Sequence, residues 1–233
     1  MTVALERRIA ALFGGPVAVA VLPVAGPHPP LMPEEARAVA RAVAQRRAEF
    51  TAGRAAARLA MTRLGLPPQP IPAAPDRSPV WPDGVNGSIS HTGGLCAAVL
   101  SRDPTQPLGL DIEEASPLDA DLWPLVLTPE ELARLDHAPI LQRGLMAKRI
   151  FGIKEAAYKA QFPLTGAVIG FQALEVILPD DPQAGFAQVR ATSIGTMIPG
   201  LAKLFPDHSA ICRTAESHDT SFPLLIAGIS LPA

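Results

Sequence analysis

Cysteine, charge and aromatic side chains are all scarce in this sequence of 233 residues. The two cysteines, Cys96 and Cys212, form no C-x-x-C motif and the histidines show no H-x-x-x-H spacing, so neither a disulfide framework nor a zinc site is indicated. Charged residues make up only 18% of the chain while 48% is hydrophobic, which excludes a disordered chain and a coiled coil. We therefore expect a globular protein of a reducing compartment, the cytoplasm.

An excess of one sign of charge is also lacking, since the formal net charge is −2. Whole-molecule electrostatics thus give nucleic acid and anionic membranes no long-range attraction. Residues 34–63 are the local exception, with seven arginines against three glutamates, and predict either a solvated helix face or the basic wall of an anion site. A nucleic-acid binder built on this segment is the weaker alternative, because the chain has only one tyrosine and two tryptophans with which to stack bases.

Long apolar runs are few, and beyond the first 26 residues none approaches the roughly 18 residues of a membrane span. The uncharged run at 9–26 follows two arginines, as in a secretory signal, and an exported binding protein is the alternative that rests on it. Glu6 and the breakers at 14–16 argue against a signal, because they divide the run into a short helix and a strand over 17–24. We expect no membrane association.

Proline is abundant, at 26 residues or roughly double the ordinary usage. The prolines are scattered and no internal repeat is apparent, so they indicate stiff loops in a folded protein. Proline and glutamates at 33–35 predict a helix to about residue 48, and after an interruption at 50–53 a second helix is predicted to Gly65. A capping box at 128–131 begins another helix, and the longest is expected at 140–162.

Short β-prone runs fill much of the remaining chain. The runs at 87–91 and 95–101 flank two glycines and predict a hairpin. Further strands are predicted near 108–113, 171–178, 186–192, 210–213 and 224–230. Both halves therefore mix helices with a few strands, which predicts an α+β protein of two similar lobes, residues 1–104 and 105–233.

Asp111 and Glu113 are the first candidates for chemistry. They are two residues apart on a predicted strand, which places both carboxylates on one face and Glu114 on the other. Two carboxylates on one face remain ionised together only beside a cation or an arginine, and oxygen ligands without thiolates favour Mg²⁺ over zinc. The alternative is a polar strand end with solvated acids.

The second cluster is Phe-Gly-Ile-Lys-Glu-Ala-Ala-Tyr-Lys at 151–159, on the longest predicted helix. Glu155 and Lys159 have the spacing of an ordinary helix ion pair, which stabilises a helix by roughly 0.2 to 0.5 kcal/mol. Phe151 and Tyr158 share one broad side of the helix, as core packing alone would require. By itself this cluster does not demand a function.

Together the two clusters resemble a known bipartite signature. Gly-Leu-Asp-Ile-Glu at 109–113, followed after 37 residues by the 151–159 cluster, resembles the signature of the 4′-phosphopantetheinyl transferases. Upstream, the segments 53–54, 77–79, 81–82 and 87–91 are similar to the enterobactin-synthase branch of that family, so the likeness covers about residues 50–166. Leu110 replaces the usual Ile or Val and Gly152 the commoner Ser, and neither change removes a reactive group.

The resemblance implies an activity and assigns residues to it. The phosphopantetheine arm of coenzyme A would move to a serine of an apo acyl or peptidyl carrier protein, with release of 3′,5′-ADP. The family pattern implies that Asp111, Glu113 and Glu155 hold Mg²⁺, with Glu113 the least certain ligand. Glu155 would also accept the serine proton, and Lys159 would neutralise the leaving phosphate. The implied contacts to coenzyme A are Arg54, Arg77, Ser90, His91 and Lys159.

Chain length places the resemblance with the longer, pseudo-dimeric members of the family. That type implies two related α+β lobes, with coenzyme A in the cleft between them, in a monomer. The apolar segment 116–126 is either a surface for the carrier helix or core. A coenzyme A binding module without catalysis is the alternative function, and the carrier could belong to siderophore, nonribosomal peptide, polyketide or fatty-acid synthesis.

Overall fold

The computed structural model describes residues 2–181, 184–206, 210–218 and 223–231. In the first part of the chain, three antiparallel strands form a sheet in the order β1-β3-β2: β1 (Ala18–Pro23), β2 (Asn86–Thr92) and β3 (Leu95–Ser101). Helix α3 (Ala44–Arg63) packs on one face of this sheet, α1 (Thr2–Ala10) packs against β1, and an ion pair of Glu35 and Arg58 joins the short α2 (Pro33–Ala36) to α3. The hairpin predicted around Gly93 and Gly94 is confirmed, with both glycines at positive φ.

The second part of the chain contains a five-stranded antiparallel sheet in the order β4-β8-β7-β6-β5. Its strands are β4 (Leu108–Glu114), β5 (Leu174–Ile177), β6 (Phe186–Ala191), β7 (Ala210–Ser217) and β8 (Leu224–Ser230). Helix α6 (Ile140–Thr165) packs across it, with α4 (Trp123–Val126), α5 (Pro129–His137), α7 (Ser193–Thr196) and α8 (Leu201–Leu204) around its ends. The predicted α+β class with two sheet-and-helix lobes is confirmed.

Helix α3 differs from the prediction because it continues through residues 50–53. Phe50 and Ala52 are buried there, and a Cβ on Gly53 would lie 3.1 Å from Ile89 Cγ2, so the helix backbone packs closely on β2. This packing overrides the local cost of glycine in a helix. The chain breaks earlier, at residues 40–43, so the predicted helix from Pro33 consists of α2 and a 3₁₀ turn ending at Val39.

Two predicted strands have different ends in the structure. A 3₁₀ turn at Phe171–Ala173 precedes β5, and β7 continues to Ser217, four residues beyond its predicted end. Strand β5 pairs with β6, and the added residues of β7 pair with β8, so the ends of both strands are set by long-range pairing and not by local composition.

The two sheets meet where β2 lies beside β4. Ser88 and Ser90 of β2 accept hydrogen bonds from the main-chain amides of Leu110 and Ile112, at 3.0 and 3.2 Å. On the opposite side one apolar cluster contains residues of α1, of β1 and β3, and of β4 and β8. The lobes therefore share a core at their junction, and the division at residues 104 and 105 stays a prediction.

Each lobe also contains one buried glutamate in an equivalent position. Glu35 and Glu131 are the third residues of α2 and α5, and both helices begin Pro-Glu-Glu. Each carboxylate binds the amide that precedes its helix and a cation 23 residues further along the chain, which is Arg58 for Glu35 and Lys154 for Glu131. A structural repeat is thus present, although no repeat was apparent in the sequence.

None of the helices in the described ranges is both long enough and apolar enough to cross a membrane.

Candidate active site

Asp111 lies on β4 at the junction of the two sheets and is only 4% exposed. Its Oδ1 accepts hydrogen bonds from Ser90 Oγ at 2.9 Å and from Lys159 Nζ at 2.6 Å. Its Oδ2 is buried and has no hydrogen-bond partner among the described residues. Because an unpartnered buried carboxylate oxygen is costly, this atom indicates the place of a ligand.

Lys159 connects α6 to the junction of the sheets. Besides Asp111, its ammonium donates to the Leu110 carbonyl at 3.1 Å and to Ser90 Oγ at 3.3 Å. The sequence suggested Glu155 as its partner, whereas the structure directs the ammonium to Asp111. Lys159 still acts on Glu155 through its charge, which offsets part of the rise that burial causes in the pKa of that carboxyl.

Glu113 lies on the same face of β4 as Asp111, as the strand period predicted. A Cβ built on Gly152 of α6 would lie 3.4 Å from Asp111 Oδ2 and 3.9 Å from Glu113 Cγ. Glu113 Oε2 accepts a hydrogen bond from Lys148 Nζ at 3.1 Å. Burial and the Asp111 charge raise the pKa of Glu113, against the opposing effect of Lys148.

Glu155 is half-buried on α6, one turn before Lys159. Burial raises the pKa of its carboxyl, Lys159 lowers it, and the charges of Asp111 and Glu113 raise it further. The charges of Asp111 and Glu113 therefore act on Glu155, and the charge of Asp111 acts on Glu113. A raised pKa gives the Glu155 carboxylate a stronger tendency to accept a proton.

These three carboxylates are of the type that binds a hard divalent cation. The unpartnered Oδ2 of Asp111 is the observation that tests this fit. Carboxylate oxygens are the ligands that Mg²⁺ prefers, and Asp111 Oδ2 is a buried acceptor that faces Gly152, where a larger side chain would come close. In the described ranges, no three His, Cys, Asp or Glu side chains converge as a metal site. Lysine ammoniums neutralise Asp111 and Glu113 in this conformation, so the residue types fit a cation although the side chains do not surround one.

Lys148 was missed by the sequence analysis. It lies four residues before Gly152 and seven before Glu155, on the same side of α6. This helical spacing is the signal by which the sequence could have indicated that Lys148 faces the acids.

His91, at the end of β2, lies beside a basic helix face. Its Nε2 is 3.3 Å from Arg46 Nη1 and 3.9 Å from Glu49 Oε2, and its side chain is half-exposed. Burial lowers the pKa of His91, Glu49 raises it, and the charges of Arg46 and Lys159 lower it. Arg46 was also missed, because nothing in an arginine-rich segment indicates which arginine faces β2.

Arg54 is buried on α3, with its Nε donating to the Ile71 carbonyl at 2.7 Å. Its guanidinium lies over the Phe50 ring, 4.1 Å from the ring centroid. Burial lowers the pKa of Arg54 to about 10, and the neighbouring charges of Arg46 and Arg58 contribute in the same direction. Arg54 is thus a fixed cation within the basic region that also contains Arg46.

Arg77 is exposed in a turn of the first lobe, with a φ of 73°. The turn is closed by hydrogen bonds from Arg77 N to the Ala74 carbonyl and from Ser78 N to Asp76 Oδ1, both 2.8 Å. Burial raises the pKa of Tyr158 on α6, and the Asp76 charge contributes in the same direction. The contact of Arg77 with coenzyme A stays a prediction.

Ser90 has a different environment from the one expected of a coenzyme contact. Its hydroxyl donates to Asp111 and accepts from the Ile112 amide and from Lys159. These bonds use the one donor and the two acceptor positions of a hydroxyl. In this conformation Ser90 supports Asp111 and Lys159, and its contact with coenzyme A stays a prediction.

Two cavities follow α6 from this cluster. The first cavity, of about 380 Å³, is lined by Asp111, Glu113 and Lys148 at one end and by Leu225 and Ile226 of β8. The second cavity, of about 780 Å³, lies beside the first half of α6. The cluster of acids and lysines thus opens into space large enough for part of a ligand.

The segment 116–126 divides into core and surface. Leu118 and Val126 are buried, and Trp123 Nε1 donates to the Leu118 carbonyl at 3.1 Å. Leu122 and Leu125 are exposed. Part of the segment therefore belongs to the core, and its use as a surface for the carrier helix stays a prediction.

Comparison with known proteins identifies similar chains. Residues 34–101 match the model of the 4′-phosphopantetheinyl transferase N-terminal domain, and residues 107–197 match that of the 4′-phosphopantetheinyl transferase superfamily. The chain is 38% identical to 4′-phosphopantetheinyl transferase Svp of Streptomyces mobaraensis over 179 residues, covering 73% of this chain and 69% of Svp. It is 40% identical to 4′-phosphopantetheinyl transferase PptT of Mycobacterium tuberculosis over 152 residues, 64% of this chain and 66% of that protein. It is also 39% identical to enterobactin synthase component D of Escherichia coli K12 over 136 residues, 57% and 62% of the two chains.

Proposed function

Because this chain belongs to the 4′-phosphopantetheinyl transferase superfamily, we propose that it transfers the phosphopantetheine arm of coenzyme A to a serine of an apo acyl or peptidyl carrier protein. The observation that carries this proposal is the junction of the lobes, where the free Oδ2 of Asp111 lies beside Lys159 and in the field of Glu113 and Glu155. The transfer forms a bond from the serine oxygen to the β-phosphorus and breaks the bond from that phosphorus to the bridging oxygen. The products are the holo carrier and 3′,5′-ADP.

Asp111, Glu113 and Glu155 are the residues that would hold Mg²⁺. When bound, this ion would neutralise charge on the diphosphate oxygens of coenzyme A. Lys148 and Lys159, which neutralise Glu113 and Asp111 in this structure, supply further positive charge on the same side of α6. The proposed role of the Lys159 ammonium is to stabilise the phosphate of the leaving 3′,5′-ADP.

Glu155 is the proposed base. It must remove the proton of the carrier serine as the oxygen attacks, directly or through one water. Its raised pKa suits this role, because the carboxylate then accepts a proton more readily than a solvated glutamate would. The serine is supplied by the partner, so the protein itself needs no nucleophile.

The nucleotide end of coenzyme A is assigned to the basic region of the first lobe. Arg54 is preorganised on the Phe50 ring, and Arg46 and His91 lie together at the end of β2. Arginine suits this task because its planar guanidinium can bind a phosphate through two parallel hydrogen bonds. Arg77 and Ser90 complete the proposed contacts.

The same proposal covers the class of carrier protein, the oligomeric state and the location in the cell. Similarity to enterobactin synthase component D favours a carrier of siderophore synthesis, with nonribosomal peptide and polyketide carriers as further candidates. The structural repeat within one chain supports a monomer. We propose the cytoplasm as the site of action, in keeping with two buried free thiols.

The experiment is intact-mass spectrometry of apo carrier proteins incubated with this protein, coenzyme A and Mg²⁺, with EDTA as the metal-removal control. A phosphopantetheine mass gain that EDTA abolishes is expected. Glu155→Gln and Lys159→Ala should lower the rate by roughly 10² to 10⁴, whereas Glu130→Gln and Lys203→Ala, on exposed surface, should not. Coenzyme A binding without mass gain on any carrier would replace the proposal with the binding module.

A further inference from the structure

Lys148 lies between the acids of β4 and an aromatic ring of its own helix. Its ammonium is 3.1 Å from Glu113 Oε2 and 5.5 Å from the centroid of the Phe151 ring. A cation within about 6 Å of a ring centroid is attracted to the face of the ring. The side chains of Lys148 and Glu113 are only 14% and 23% exposed, so this ion pair is shielded from most of the solvent. Two contacts therefore hold the ammonium beside the acids.

Asp111 and Glu113 flank one position beside α6, but only Asp111 presents an oxygen to it. A Cβ built on Gly152 marks this position, at 3.4 Å from Asp111 Oδ2, the buried oxygen without a partner among the described residues. The nearest atom of Glu113 is its Cγ, at 3.9 Å, so the carboxylate of Glu113 lies farther away. That carboxylate is instead bonded to Lys148, one turn earlier on α6.

A divalent cation and the Lys148 ammonium require the same carboxylate. Mg²⁺ binds oxygen ligands at about 2.0 to 2.1 Å, and the ammonium binds Glu113 Oε2 by a charge-assisted hydrogen bond. The two positive charges also repel each other, and this repulsion is larger at a partly buried site than in bulk water. To bind an ion beside Asp111, the Glu113 carboxylate must therefore exchange the ammonium for the ion.

The next residue of α6 provides a comparison within the same cavity. Arg149 lines the first cavity as Lys148 does, but its ion-pair partner is Glu216 of β7 and not one of the three acids. Arg149 therefore contributes positive charge without holding a proposed ligand. A specific effect of Lys148 can in this way be separated from an effect of charge alone.

We propose that Lys148 is a positioning residue that competes with the divalent cation for Glu113 and thereby lowers the affinity of the site for the ion. This inference rests on the proposed function, which assigns Glu113 to the ion. Because Lys148 acts through Glu113, its loss should strengthen binding of the ion, whereas loss of Glu113 itself should weaken it.

The first test is titration of the protein with Mn²⁺, another cation that prefers oxygen ligands, in the absence of coenzyme A and carrier. The electron paramagnetic resonance signal of free Mn²⁺ gives the dissociation constant. Lys148→Met should lower this constant roughly three- to tenfold, because a competing ion pair and a repulsive charge are both removed. Lys148→Gln should have the same effect and serves in its place if the methionine variant does not fold.

Two further variants are the controls for this titration. Lys148→Arg keeps the charge and the ion pair, so it should bind Mn²⁺ as the wild-type protein does. Arg149→Met removes the same charge from the same cavity but leaves Lys148 on Glu113, so its dissociation constant should also be unchanged.

The second test measures the Mg²⁺ concentration that gives half the maximal rate of transfer. It should fall by the same factor in Lys148→Met and stay unchanged in both controls. Equal or weaker Mn²⁺ binding by Lys148→Met, or an equal gain in Arg149→Met, would overturn the inference, as would a lack of Mn²⁺ binding by all the proteins. If no carrier gains mass while Lys148→Met binds Mn²⁺ more tightly, the transferase proposal fails and the role of Lys148 stands.

Discussion

Ser88 and Ser90 have the same structural role at the junction of the sheets, but only Ser90 contacts Asp111. Each alanine variant would leave a buried amide of β4 without its acceptor, so each should lower the free energy of unfolding by about 1 to 2 kcal/mol. Only Ser90→Ala removes a donor from Asp111 Oδ1, so only this variant should also lower kcat. Urea denaturation and transfer kinetics check both effects, and equal losses of kcat would show that Ser90 has no special role.

The two glycines of the signature should respond to alanine in opposite directions. A Cβ on Gly109 would collide with the Ala156 carbonyl oxygen, so Gly109→Ala must push α6 away from β4. We expect a loss of roughly 2 to 3 kcal/mol in unfolding free energy. At Gly152 the nearest atom, Asp111 Oδ2, is at an ordinary contact distance of 3.4 Å, and alanine favours the helix by up to about 1 kcal/mol.

Urea denaturation of both variants measures these changes. Stabilisation by Gly109→Ala would contradict the close contact between β4 and α6, and destabilisation by Gly152→Ala would show that the space beside Asp111 is needed for the fold.

Part of the site could be predicted at the level of residues. The period of a strand placed Asp111 and Glu113 on one face, and the two motifs located α6 and β4. The partners of these residues could not be predicted, because Lys159 has Glu155 one turn away in sequence yet pairs with Asp111 across the fold. The bonds of Ser90 to Asp111 and to the Ile112 amide could not be predicted either, since only the packing of β2 against β4 reveals them.

At the scale of elements, α3 of the first lobe and α6 of the second make equivalent contacts, but the residues beside those contacts differ. Arg58 and Lys154 bind equivalent buried glutamates, and the residues that follow them are Leu59 and Glu155. Five residues after each cation, Arg63 donates to the Val19 carbonyl as Lys159 does to that of Leu110. The first lobe thus retains the framework of the second and has leucine where the second has the proposed base. Few identical residues specify this repeat, so the sequence did not reveal it.

The buried pair of Glu131 and Lys154 should hold α6 on the second lobe. Lys154 is 2% exposed and donates to Glu131 at 2.7 Å and to the carbonyls of Val126 and Phe171. Lys154→Met leaves a buried carboxylate without its cation and should cost about 3 to 5 kcal/mol in unfolding free energy. Arg58→Met should cost a similar amount in the first lobe.

The double variant Glu131→Met with Lys154→Met is the control for this prediction. It removes both charges, so it should be less destabilised than Lys154→Met alone. Urea denaturation compares the three variants. A loss below about 1 kcal/mol in Lys154→Met would mean that the pair does not secure the helix.

For the whole molecule, the order of elements could be predicted, whereas their assembly could not. Alternating helices and strands predicted two α+β lobes, but they did not predict that α3 continues through Gly53, which packs close to Ile89 of β2. The second sheet pairs β4 with β8, the first and last of its strands along the chain. Such pairings depend on tertiary packing, which local composition does not encode.

Acid stability of the whole molecule should depend on Glu175 of β5. Burial raises the pKa of this carboxyl, but hydrogen bonds and ion pairs from Arg190 and Arg134 lower it below its ordinary value of 4.5. A group whose pKa is lowered by folding stabilises the protein above that ordinary value, and its contribution is lost as the pH falls through the lowered pKa. The pKa values of Glu113, Glu131 and Glu155 are raised, so their effect on stability has the opposite sign.

Glu175→Gln should therefore lower the unfolding free energy by about 1 kcal/mol at pH 7, where both arginines lose a charged partner, and by progressively less in acid. Urea denaturation of the wild-type protein and the variant at several pH values between 7 and 3 measures the difference. Asp136→Asn, which removes the exposed partner of Arg143 and leaves the main-chain bonds of that arginine in place, is the control and should show a smaller effect at pH 7. A difference between Glu175→Gln and wild type that stays constant down to pH 3 would mean that Glu175 contributes through packing and not through its charge.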